Sequence, residues 1–215
     1  MRKVIFDIDG VIADCIAPIV TAINVVRRNG GEGDELLSRD DITCFNFMDP
    51  REKILTEWEC LFAKELFASR GFALSLGAIP GAADLVTNII RMKEVYEVIF
   101  VTSQWVNSET WCHDRYKWMC NLFGDKNVKN KLVFAQDKSL VHADVFIDDK
   151  IENCFDYKEA HPESRVILVR QPWNKRVKCL ESNKLLPIAD HKDIADAILY
   201  PEDYLDKAFA YEFFL

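Results

Sequence analysis

Val4-Ile5-Phe6-Asp7-Ile8-Asp9-Gly10-Val11 is the stretch on which the reading of this chain turns. Three apolar residues run straight into two carboxylates spaced by one position. In an extended chain residues i and i+2 point to the same side, so Asp7 and Asp9 can face one cleft, while Gly10 permits a sharp exit of the backbone. Two close carboxylates repel unless a cation or a proton intervenes, and a hard divalent metal, most simply Mg²⁺, resolves the conflict. A calcium loop begins with the same letters, but counted from Asp7 it would need glycine where Ile12 stands and a bidentate Glu where Pro18 stands, so that reading fails. A plain helix cap or turn stays open on these residues alone.

Further along, short apolar runs recur at Val98-Ile99-Phe100-Val101, Leu132-Val133-Phe134, Val145-Phe146-Ile147 and Val166-Ile167-Leu168-Val169. Continuous runs of this length, rich in Val, Ile and Phe, suit strands of a parallel sheet buried on both faces. Between them the period turns helical, at Ile12, Ile16, Ile19, Val20, Ile23 and Val26, at Trp111, Trp118, Met119 and Leu122, and at Ile194, Ala197 and Ile198. Pro18 suits a first helical turn. Alternating strands and helices predict an α/β fold, a Rossmann-like parallel sheet flanked by helices.

Residues 29–78 break the alternation. They open with the loop composition Asn29-Gly30-Gly31-Glu32-Gly33-Asp34 and continue with a helical pattern at Trp58, Leu61, Phe62 and Leu66. The expected organisation is a core of residues 1–28 and 79–215 with a small helical cap, 29–78, inserted after the first strand and helix.

Two more polar signals follow buried runs. Thr102 and Ser103 succeed the second run, where hydroxyls and helix N–H groups beyond strand ends can hold phosphate oxygens; alone, they equally fit a helix cap. Asp148-Asp149-Lys150 succeeds Val145-Phe146-Ile147. If that strand lies beside the first, a four-carboxylate cluster results, which needs a metal. Lys138, ten residues before Asp148, can swing in to neutralise phosphate or remain on the surface.

The conjunction Asp-x-Asp-Gly, Thr-Ser, Lys and Asp-Asp, after successive strands, resembles the haloacid dehalogenase superfamily of phosphotransferases over residues 1–28 and 79–170. The longer strings Asp7-Ile8-Asp9-Gly10-Val11-Ile12-Ala13-Asp14, Gln136-Asp137-Lys138-Ser139 and Ala143-Asp144-Val145-Phe146-Ile147-Asp148-Asp149 are similar to the 5′(3′)-deoxyribonucleotidase family. Arg115-Tyr116-Lys117-Trp118 and Pro172-Trp173-Asn174 are compatible with it. Gln104, Cys15 and Lys150 depart from the pattern of relatives, at places where substrate preference can change. The resemblance implies Asp7 as nucleophile, Asp9 as general acid and then base, and Mg²⁺ held by Asp7, the Asp9 carbonyl and Asp148 with Asp149 in support. It also implies a phosphate clamp of Thr102, Ser103 and Lys138. Specificity is then expected from the cap, with Phe45, Phe47 and Trp58 stacking on a base and Lys150 nearby; the same aromatics also suit the cap's own small core.

The 215 residues are 49% hydrophobic and 29% charged, with a net charge of −8. That balance fits a folded globular chain and argues against nucleic-acid polymer as partner, since such binding rests on many cationic phosphate contacts. The expected partner is a small phosphate monoester, a nucleotide first and a sugar phosphate as the alternative; a nucleotide-binding regulator without turnover stays open. Seven scattered cysteines with no Cys-x-x-Cys spacing suggest neither a disulfide framework nor a zinc site. The first apolar run ends after three residues, too short for a signal core or a membrane span, so the expected location is the cytoplasm, away from membrane. The apolar tail residues Phe209, Tyr211, Phe213 and Phe214 have two destinations open to them, the chain's own domain or a second copy in a homo-oligomer.

Overall fold

The computed structural model describes residues 1–30, 35–176, 185–188 and 191–200. In chain order its regular elements are β1 (Arg2–Phe6), β2 (Ala13–Asp14), α1 (Ile16–Asn29), α2 (Glu57–Ala68), α3 (Phe72–Ser75), β3 (Gly77–Ala78), α4 (Ala82–Arg91), β4 (Tyr96–Thr102), α5 (Trp111–Phe123), α6 (Asp125–Val128), β5 (Leu132–Phe134), β6 (Val145–Asp148), α7 (Ile151–Ala160), β7 (Arg165–Val169), β8 (Leu185–Ile188) and α8 (His191–Leu199). Short 3₁₀ turns lie at Arg39–Asp41, Pro50–Glu52, Lys138–Leu140 and Pro172–Asn174.

Six strands form one sheet in the order β5-β4-β1-β6-β7-β8, every neighbouring pair parallel. The chain builds outward from β1 through β4 to β5, then returns to the other side of β1 for β6. The reversal falls between β1 and β6, and a crevice beyond the carboxyl ends of such strands is where ligands of open α/β sheets bind. Both faces of the sheet are covered: Val4, Phe6 and Ile147 belong to one core cluster, and Ile5, Phe146 and Val166 to the other. Alternate side chains of β1 thus enter different cores, which explains why its apolar run has no polar interruption.

All five strands expected from the apolar runs are present, and the fold class is the Rossmann-like α/β one. The sixth, β8, carries Pro187 and lies at the sheet edge, where a missing N–H is tolerated. The first helix begins at Ile16 rather than taking in Ile12, whose N–H instead turns back to the Ile8 carbonyl at 2.8 Å. Pro18 sits in its first turn.

Between α1 and α4 the chain makes its excursion away from the sheet. A two-stranded antiparallel ribbon pairs Ala13 with Ala78 and Asp14 with Gly77, and the excursion lies between these strands. The α2 N-terminus is closed by a capping box: the Thr56 hydroxyl accepts from the Glu59 N–H, and the Glu59 carboxylate accepts from the Thr56 N–H at 2.9 Å. Arg27 of α1 also donates to Glu59, at 2.6 Å, and ties the two helices together. The buried stripe of α2 is Cys60, Ala63 and Phe67; Trp58 and Leu61, expected on that stripe, are exposed. Leu122 of α5 is exposed too. Among the described residues no helix is long and apolar enough to cross a membrane. The aromatic tail from Phe209 to Phe214, Gly31–Asp34 and Cys179 lie outside the described residues.

Candidate active site

The site starts from a tight turn at the end of β1. The N–H groups of Ile12 and Ala13 both converge on the Ile8 carbonyl, at 2.8 and 2.7 Å, while Ile8 itself is fully buried. Gly10 makes the turn with φ +79°, and a Cβ built on it would lie 2.3 Å from Oδ2 of Asp149. Glycine is required there on both counts.

Asp7 thereby lies beside the end of β6. Lys138 Nζ donates to Asp7 Oδ2 at 2.8 Å and to Asp148 Oδ2 at 2.7 Å, with all three groups buried. Carboxylate oxygens of Asp7, Asp148 and Asp149 come within 4.8 Å of one another, a set that could hold a metal ion. Burial pushes the Asp7 carboxyl up to about 7, with the Asp148 and Asp9 charges adding to it and Lys138 opposing. Burial, Asp148 and Asp7 likewise raise Asp149 well above the usual carboxylate range. Burial works against the Lys138 ammonium, yet Asp148 and Asp7 outweigh it and hold its pKa above the ordinary lysine value. Oδ1 of Asp7 is buried without a hydrogen-bond partner among the described residues. An orphaned anionic oxygen beside two more buried carboxylates suits a hard cation with oxygen ligands. The residues present therefore fit such an ion.

The cluster has three carboxylates, not the four expected from sequence. Asp9 turns away: its Oδ1 accepts from Arg115 Nη2 at 2.5 Å and its Oδ2 from the Thr102 hydroxyl at 3.4 Å. Asp9 and Thr102 both line the same cavity of about 290 Å³ as Asp7, Ser103, Lys138, Asp149 and Lys150. The Ser103 hydroxyl donates to the Ala135 carbonyl at 3.2 Å. Asp148 is braced further by the Lys150 N–H at 2.8 Å and Asn153 Nδ2 at 3.0 Å. Behind Asp149, Asn174 Nδ2 donates to its carbonyl at 2.8 Å, and Gln171 Nε2 donates to the Gly10 carbonyl at 2.7 Å. The Pro172–Asn174 turn thus backs both the glycine and the carboxylate that fills its missing side chain.

Of the three cap aromatics named from sequence, Phe45 and Phe47 line the cavity and Trp58 does not. Trp58 instead stacks on Phe62 with ring centroids 5.2 Å apart. Phe45 packs edge-on to Trp173, and the Lys150 ammonium sits 4.8 Å from its ring centroid, a cation–π contact at the cavity wall. Sequence reasoning missed Phe67, Trp105 and Trp111, which line the cavity and pack on one another. It also left Arg115 without a role, because one arginine on a helical face reads as solvated. The Trp111 and Trp118 rings on either side of its guanidinium were the available signal. Cys15 lines the cavity, and burial, with the Asp9 charge, raises its thiol well above the ordinary range, which argues against a thiolate nucleophile.

Comparison with known proteins agrees with this layout. The 5′(3′)-deoxyribonucleotidase, cytosolic type, of Homo sapiens is 26% identical over 156 residues, 69% of this chain and 70% of its own length. A provisionally named 5′(3′)-deoxyribonucleotidase of Acanthamoeba polyphaga mimivirus is 29% identical over 94 residues; that match spans 41% of this chain and 42% of the viral protein. Among solved structures, the D,D-heptose 1,7-bisphosphate phosphatase of B. bronchiseptica, in complex with magnesium and phosphate, shares the fold. Its TM-score is 0.50 at 12% identity, over 93% of this chain and 98% of that one. The profile of the family described as 5′ nucleotidase, deoxy (pyrimidine), cytosolic type C protein matches residues 2–195. The chain belongs to that family, one of nucleotidase-type hydrolases.

Proposed function

We propose that the protein is a Mg²⁺-dependent phosphomonoesterase acting on nucleoside monophosphates through an aspartyl-phosphate on Asp7. The observation that carries this reading is the buried Asp7, with one oxygen on Lys138 and the other without a partner among the described residues, at the wall of an aromatic-lined cavity. Asp7, Asp148 and Asp149 would hold the cation, with the Asp9 carbonyl as a further oxygen ligand. Bound there, Mg²⁺ supplies charge neutralisation for the phosphoryl group.

The chain's own groups account for the rest. A carboxylate oxygen of Asp7 attacks phosphorus, the bond from phosphorus to the ester oxygen breaks, and Asp9 gives its proton to the departing oxygen. This leaves a nucleoside and an acyl phosphate on Asp7. Asp9, now a carboxylate, takes a proton from water as that water attacks phosphorus. The bond to Asp7 breaks, giving inorganic phosphate and restoring both aspartates. Lys138, Thr102 and Ser103 are the phosphate clamp. Phe45 and Phe47, with Phe67 and Trp111, supply flat apolar surface for a base, since aromatic faces stack on any base.

The division into core and cap belongs to the same proposal, with residues 29–78 as cap. The β2–β3 ribbon closes the base of the excursion, and the Arg27–Glu59 ion pair ties α1 of the core to α2 of the cap. We place the protein in a reducing cytoplasm, a reading supported by the six described cysteines, all free thiols, and by the cytosolic human relative.

Phosphate release from 5′- and 3′-deoxyribonucleotides, ribonucleotides and sugar phosphates, with Mg²⁺ or EDTA, tests the reading. Mg²⁺-dependent turnover of nucleotides, abolished in Asp7→Asn, is the expected result. Turnover of sugar phosphates alone would discard the substrate and keep the chemistry. No turnover of any of them, with the metal bound, counts against the enzyme.

A further inference from the structure

Arg115 is the largest fully buried side chain of the described residues, and no step above uses it. It projects from α5 between two indoles, its guanidinium carbon 5.1 Å from the Trp111 ring centroid and 5.3 Å from that of Trp118. Both rings are pinned: Trp111 Nε1 donates to the Ser103 carbonyl at 3.2 Å and Trp118 Nε1 to the Leu76 carbonyl at 2.7 Å. A buried guanidinium is costly unless it is paired and hydrogen-bonded. A structural ion pair would spend the whole fork on its partner, as bidentate arginine–carboxylate pairs do. Here Nη2 alone is spent, on Asp9 Oδ1, while Nε and Nη1 are buried without partners among the described residues. Arg115 does not line the cavity, so a substrate there does not reach it.

We propose that Arg115 is the positioning residue of the proton donor: it fixes Asp9 by Oδ1, keeps it out of the Asp7–Asp148–Asp149 cluster, and leaves Oδ2 as the oxygen that carries the proton. The inference rests on the hydrolase reading above. Asp9 is the fourth carboxylate of its neighbourhood, and a flexible one would turn toward a cation bound by the other three. The tryptophan-clamped arginine prevents this, and Thr102, 3.4 Å from Oδ2, marks the side on which the proton is delivered. The transfer moves one proton from Oδ2 to the leaving ester oxygen and leaves an Asp9 carboxylate still held by Arg115.

Leaving-group dependence distinguishes this role from a structural one. p-Nitrophenyl phosphate expels a stable phenolate that needs little protonation, whereas a nucleoside leaves as an alkoxide that does. Arg115→Met is expected to lower kcat/KM about 100-fold for nucleoside monophosphates and no more than about threefold for p-nitrophenyl phosphate. Arg115→Lys, which keeps the cation, should restore part of the nucleotide activity. Equal losses on both substrates, or none on nucleotides, would overturn the inference. A second readout needs no turnover and serves even if Arg115→Met does not fold. Asp9→Asn removes the counter-charge of a buried cation, so it should lower Tm by about 5 °C. An unchanged or higher Tm would overturn the pairing on which the proposal stands. Wild-type protein inactive on every phosphate ester would sink the hydrolase reading instead, leaving the melting result to judge the ion pair.

Discussion

Gly10 and Asp7 are the residues at which the site is most sharply constrained. Gly10→Ala must place a methyl group against the Asp149 carboxylate in a left-handed backbone. We expect a cost of about 1–3 kcal/mol, and loss of Mg²⁺ affinity by titration calorimetry, because Asp149 has to move. Wild-type affinity in this variant would mean that Asp149 does not serve the cation. Asp7 carries the pH dependence. Its carboxyl, ordinarily near 3.8, titrates near 7 in the metal-free fold. Its contribution to metal-free stability is therefore complete below about pH 4 and is lost as pH rises through about 7, since the unfolded chain gives up the proton earlier. Mg²⁺ selects the ionised form, so the rise in Tm that it produces should grow between about pH 5.5 and about pH 8. A rise independent of pH would count against Asp7 as a ligand.

At the level of elements, the Pro172–Asn174 turn and the cap carry separate expectations. Asn174 holds the carbonyls of Asp149 and Val169 together through one amide nitrogen, at 2.8 and 2.7 Å. Asn174→Ala leaves both buried and should cost about 1–3 kcal/mol while raising the Mg²⁺ concentration at half-maximal activity. Normal Mg²⁺ dependence would limit the turn to a packing role. In the cap, Phe47→Ala is expected to raise KM for nucleotides about tenfold and Trp58→Ala to change it less than about twofold. Steady-state kinetics on the two variants checks the assignment, and the reverse order would refute it. The strands were legible because both faces of the sheet are buried, so Val4 to Phe6 reads as an unbroken apolar run. The edge strand β8 was not, since Pro187 argues against a strand wherever its position in the sheet is unknown. The buried face of α2 was misread for a different reason. A small excursion has little core to offer, and Trp58 and Phe62 cover each other instead. Arg115 was illegible because its partner Asp9 meets it only through the folding of α5 against the end of β1.

For the whole molecule, the order of strands brings the proposed reacting groups together at the carboxyl ends of three adjacent strands. β1 supplies Asp7 and Asp9, β4 leads to Thr102 and Ser103, and β6 ends at Asp148. Ligands that bind only the assembled crevice stabilise the whole chain by mass action. Mg²⁺ and inorganic phosphate, each at about 100 times its dissociation constant, should add about 2.7 kcal/mol apiece, or roughly 10–20 °C in Tm together for a protein of this size. EDTA should reverse the shift, and a Tm insensitive to both would mean that the crevice does not take them. The sheet order also has a consequence for synthesis. β1 is made first but lies in the interior of the sheet, flanked by β4 and β6, which the ribosome delivers later. A nascent chain therefore carries Asp7 long before Lys138, Asp148 and Asp149 exist to surround it. On the proposed mechanism, premature termination anywhere before β6 yields fragments that carry Asp7 without the groups that would make it reactive.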